Sequence, residues 1–92
     1  MQKYIWETPE EITMIVSNHT KNLRKRLKIS RRKLSEMSGV SYGSIKRFEE
    51  TGNISLLSLT KIAMALDVSG DIKNIFAGVP YKSIQEVMHE QK

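Results

Sequence analysis

The chain has no cysteine. That excludes a disulfide framework, thiolate zinc sites and a cysteine nucleophile. Its two histidines, His19 and His89, are seventy residues apart, so no Cys/His set can hold a metal. No glycine-rich loop is present to cradle a nucleotide phosphate. No apolar run approaches the ~20 residues of a membrane span. The N-terminal MQKYIWETPEE places acids where a signal peptide would be apolar, so the expected location is cytoplasmic. These absences point away from an enzyme, a metalloprotein and a membrane protein, and no cofactor is expected.

What is present is one modest globular domain with a lopsided charge. Its 92 residues are 39% hydrophobic and 27% charged, and a chain of this size buries roughly 60–65% of its unfolded surface. The net charge is +5, but the distribution matters more. Ten basic residues lie between Lys21 and Arg47 with Glu36 the only acid, giving +9; the other five basic and nine acidic residues give −4. Such a concentration of one sign points to a polyanionic partner.

The apolar spacing and helix-start residues predict an all-α chain. Thr8-Pro9-Glu10-Glu11 is a capping-box start for a long amphipathic helix reaching Lys28, with Ile12, Ile15, Val16, Leu23 and Leu27 on its apolar side. Ser30 can cap a short second helix through Ser38, with Leu34 and Met37 inward. Gly39-Val40-Ser41 reads as a tight turn and a new cap before a third helix from Tyr42 to Glu50, which places Ile45 and Phe48 inward and stops near Gly52. Ser55 can cap a fourth helix with Leu59, Ile62, Ala63 and Leu66 inward, and Asp71 a short fifth with Ile72, Ile75 and Phe76 inward. Residues 1–7 form an N-terminal arm and 8–77 the domain. Residues 78–92 form a C-terminal arm that fits a helix, a strand or a disordered segment.

Two short helices about a glycine turn suggest helix-turn-helix. The register is Ser30, Leu34, Ser35, Gly39, Val40, Ser41, Ile45, Glu49 and Gly52, then Leu59, Ile62, Ala63 and Leu66. Over about residues 16–76 this resembles the phage lambda repressor-like, or XRE-type, family. The resemblance implies a five-helix DNA-binding domain that places its third helix in the major groove. Residue by residue, it implies base-edge positions at Tyr42, Gly43 and Arg47, and at Arg31 of helix two. Arg31 stands where glutamine is common and fits either guanine readout or a phosphate clamp. Gly43 has no side chain to read with. Arg47 is the candidate for bidentate guanine contact. The resemblance also implies a structural ion pair between Arg24 and Glu49, which removes Arg24 from the DNA contacts.

Arg31, Arg32 and Lys33 begin helix two, where cations oppose the macrodipole. Phosphates meeting three cations and free N–H groups could repay that cost, and the cap residue Ser30 belongs to the same site. Ser41 and Ser44 can contact phosphates, with capping the alternative for Ser41. Lys46 either reaches the backbone or faces water. Lys21 and Lys25 read as solvated, His19 as half-buried.

The expected partner is double-stranded DNA, bound by a homodimer acting as a transcriptional repressor on a palindromic operator. The stretch SYGSIKRFEETGNISLLSLTKIAMAL also resembles the small repressors that accompany HipA-type kinase toxins. That likeness implies an alternative, an antitoxin that holds a toxin protein and regulates its own operon. The apolar residues Tyr4, Ile5, Trp6, Val79, Tyr81, Ile84 and Val87 could serve either a dimer or such a partner.

Overall fold

The computed structural model describes residues 7–78. The expectations for the two arms therefore lie, apart from Glu7 and Gly78, outside the described residues. Five helices follow one another: α1 (Pro9–Arg26), α2 (Arg31–Ser38), α3 (Tyr42–Thr51), α4 (Leu56–Ala65) and α5 (Ser69–Lys73). No strand occurs among the described residues.

Local chemistry sets most boundaries. The Thr8 hydroxyl accepts from the Glu11 amide at 3.1 Å, and the Glu11 carboxylate accepts from the Thr8 amide at 3.0 Å. Two orphan donors are thus satisfied, and Pro9 sits where its missing N–H costs nothing. Ser30, Ser41 and Ser55 cap α2, α3 and α4 in the same way, each accepting from the amide three residues on. Gly39 closes α2 at φ 78°, the left-handed conformation that turns the chain into the cap of α3.

The core lies where α2, α3 and α4 converge. Leu34, Val40, Ile45, Phe48, Ile62 and Leu66 are buried there, with Leu23 of α1 and Ile29, Ile54, Leu59, Ala65 and Val68 packed around them. Val40 and Ile45 fill the wedge between α2 and α3. Each fully buried aliphatic or aromatic side chain contributes about 1.5–3 kcal/mol. At the α1–α3 crossing the buried Ser17 hydroxyl donates to the Phe48 carbonyl at 2.7 Å. A Cβ on Gly52 would stand 2.8 Å from the Thr13 hydroxyl oxygen, and φ there is 82°.

Some expectations fail. α1 ends at Arg26, because Lys28 takes a left-handed φ of 61° and the Ile29 amide folds back onto the Arg24 carbonyl. α5 begins at Ser69, without a side-chain cap, so Asp71 is inside it. It ends at Lys73, and the turn that follows takes Ile75 and Phe76 off the helical register; Phe76 is 88% exposed. Met37 lies on the outer side of α2, exposed rather than core. His19 is exposed. Ile12, Ile15, Val16 and Leu27 have the spacing of a buried stripe, yet the described residues leave all four exposed.

Candidate nucleic-acid interface

The site is built around one buried carboxylate. Glu49, at the end of α3, is reached by Arg24 from α1, whose Nε and Nη2 donate to its two oxygens at 2.7 and 3.0 Å. The remaining Arg24 Nη1 donates to the Ile29 carbonyl at 2.7 Å, which fixes the α1–α2 connection. This is the structural pair that the family resemblance implies. A second guanidinium joins it: Arg31 Nε donates to Glu49 Oε1 at 2.8 Å. Burial alone would push the Glu49 carboxyl up, but hydrogen bonds and charge from Arg24 and Arg31 outweigh it and hold it below its usual 4.5. The Glu49 hydrogen bond in turn holds the Arg31 guanidinium in its charged form, and the Tyr42 phenol adds to the effect.

Arg31 is therefore held through its Nε, and neither of its Nη groups is committed to a carboxylate among the described residues. Its side chain is 26% exposed. Arg32 lies beside it with its guanidinium carbon 5.1 Å from the centre of the Tyr42 ring, a cation–π contact. Tyr42, the first residue of α3, thus spends its ring on α2. Lys33 stands 4.0 Å from Glu36 on the exposed side of α2, a contact of little consequence.

Ser30 and Ser41 use their hydroxyl oxygens as caps, and Ser41 also donates to the Ser44 hydroxyl at 2.9 Å. Along α3, Lys46 and Arg47 face outward, opposite the buried Ile45, Phe48 and Glu49. A Cβ at Gly43 would meet nothing within 4 Å, so this position opens onto free space. The fold thus gathers Ser30, Arg31, Arg32, Lys33, Ser41, Tyr42 and Ser44 at the adjoining starts of α2 and α3, with Lys46 and Arg47 further along α3.

It also gathers two residues that the sequence leaves as solvated. Lys21 and Lys25 line an open cleft of about 450 Å³ together with Arg24, Ser30, Arg31, Arg32 and Tyr42. Their signal was spacing: four apart, flanking Arg24, they share its side of α1.

A helix-turn-helix family model matches residues 21–73, from the second half of α1 to the end of α5. The chain belongs to the XRE-type, lambda repressor-like helix-turn-helix family. It is accordingly a DNA-binding transcription regulator, of a family defined by DNA binding rather than catalysis. No curated protein and no solved structure matches the chain. Among the described residues no helix is long and apolar enough to cross a membrane.

Proposed function

We propose that this protein is a sequence-specific transcriptional repressor that binds a palindromic operator as a homodimer, with residues 8–77 as its DNA-binding unit. The observation that carries the reading is the first turn of α2. Three cations stand there against the macrodipole, and among the described residues only Arg31 has a buried partner. Phosphate is the ligand that this arrangement suits. With α3 in the major groove, Arg47 reads base edges, Ser44 and Lys46 reach the flanking backbone, and Arg31 points its free Nη groups at the DNA. DNA as ligand makes the cytoplasm its working location.

Dimerisation is supported by apolar surface away from these cations. A groove of about 280 Å³ runs between α1, α4 and α5, with Val16, Leu23, Leu59, Ile72 and Ile75 in its lining. Ile12 and Ile15 continue the exposed apolar side of α1. The same surface favours a second reading, the antitoxin that holds a kinase toxin and autoregulates. Sedimentation of the pure chain separates the two: self-association at micromolar concentration supports the repressor dimer, and a monomer that associates only with a co-purified toxin supports the antitoxin.

The DNA assignment is tested by binding profiles over a randomised duplex library. Arg47→Ala is expected to lose about 1–3 kcal/mol of discrimination at one or two base positions with non-specific binding little changed. Arg32→Ala is expected to weaken all duplexes alike. If both variants flatten the profile equally, or only Arg32→Ala alters base preference, the assignment of reader and clamp is wrong.

A further inference from the structure

We infer that the cleft where α1, α2 and α3 meet is a phosphodiester site, through which Lys21 and Lys25 bring α1 into contact with the DNA backbone. The inference rests on the DNA-binding reading and extends its surface to a helix outside the helix-turn-helix pair. Of the seven residues lining the cleft, five are cationic. Among the described residues the carboxylate that meets them is Glu49, with both oxygens taken by Arg24 and Arg31. Neither Lys21 nor Lys25 pairs with an acid among the described residues. Lys21, Lys25 and Arg32 thus line the cleft without a carboxylate partner among the described residues, and a polyanion would supply the missing counter-charge.

The walls are already in place for such a ligand. Glu49 holds Arg31 and the Tyr42 ring supports Arg32, so little side-chain freedom remains to be lost on binding. The Ser30 cap satisfies the Lys33 amide, while the Arg31 and Arg32 amides at the start of α2 make no hydrogen bond among the described residues. Guanidinium forks, ammonium groups and free amides together match the acceptor-only oxygens of a phosphate. Sites for small ligands bury most of the ligand surface. This cleft is open and has the exposed Arg32 in its lining, which suits a chain that enters and leaves rather than a free phosphorylated molecule.

The test uses the full chain and a mixed-sequence duplex of about 20 base pairs, the length of two half-sites one helical turn apart, with affinity followed by fluorescence anisotropy across a salt series. The variant Lys21→Gln/Lys25→Gln is compared with Lys61→Gln/Lys73→Gln, which removes the same charge from α4 and α5. The cleft variant is expected to bind about tenfold more weakly, with a log–log salt slope shallower by about one to two per protomer, and the control to keep the wild-type slope. Circular dichroism melts of both should match the wild type, since neither pair of lysines holds the fold. A steep wild-type slope that the cleft variant and the control reproduce alike would overturn the inference and leave the DNA-binding reading standing. A flat wild-type slope would overturn both. Amide NMR with inorganic phosphate separates the two sources of the anion: saturation of the Arg31 and Arg32 amides below 1 mM phosphate, as an order-of-magnitude threshold, with no effect of the lysine pair on the duplex slope, would assign the cleft to a small phosphorylated ligand and overturn the DNA assignment.

Discussion

At the scale of single residues, Glu49 links stability to recognition. It is almost wholly buried, and among the described residues its charge is compensated by Arg24 and Arg31 alone. Removing one partner of a buried pair costs about 3–5 kcal/mol, because the other charge stays in low dielectric. Glu49→Gln keeps the shape and removes the charge, so it should lose about 3 kcal/mol at neutral pH by urea denaturation. Arg31 is partly exposed, and Arg31→Ala should cost about 1 kcal/mol or less. The pH dependence has a definite sign. A carboxyl held below its unfolded value stabilises the fold above pH 4.5, and that stability is lost as pH falls through the folded value. The gap between wild type and Glu49→Gln should therefore narrow on acidification. A gap that stays constant from neutral pH into the acid limb would mean that the carboxylate charge carries none of this stability.

Two glycines at the scale of the helix should respond in opposite ways. Gly52 ends α3 with a left-handed φ and touches Thr13 of α1, so Gly52→Ala meets both backbone strain and a clash and should cost at least about 2 kcal/mol. Gly43 lies within α3 with open space beside it, where alanine should add about 0.5–1 kcal/mol. If that bare backbone serves close approach to DNA, Gly43→Ala will raise the melting temperature and weaken duplex binding. A more stable variant with unchanged binding would show that nothing approaches there. The caps behind these helices were legible because Thr8, Ser30, Ser41 and Ser55 each act on an amide three residues away. The Arg24–Glu49 pair was legible only through the family register, since 25 residues separate its members. Arg31 on Glu49 and Tyr42 on Arg32 were not legible, because those contacts depend on how α2 and α3 cross. Periodicity gave α1 its helix but could not tell whether anything covers Ile12, Ile15 and Val16. It also failed at Phe76, which lies just past the end of the five-residue α5.

For the whole molecule, the charge that acts on DNA is neither the net +5 nor the +9 of the basic segment. Arg24 is spent on Glu49, and Lys33 stands beside Glu36. What remains for phosphates is Arg31, Arg32, Lys46, part of Lys33 and the starts of α2 and α3, about three to four contacts per protomer, each worth about 0.9 in the log–log salt slope. A lone protomer should then show a slope near −3, and a dimer on two half-sites about −5 to −7. Engagement of Lys21 and Lys25 would steepen either value. The slope thus counts protomers as well as cations, which the apolar groove between α1, α4 and α5 cannot do by itself. Titration of a palindromic duplex, and of the same duplex with one half-site scrambled, would supply the count. A homodimer should bind the palindrome with the steep slope and the scrambled duplex with about half of it. Slopes near −3 on both would mean that protomers bind singly, and the exposed apolar residues Ile12, Ile15 and Val16 of α1 would then join no dimer on the operator.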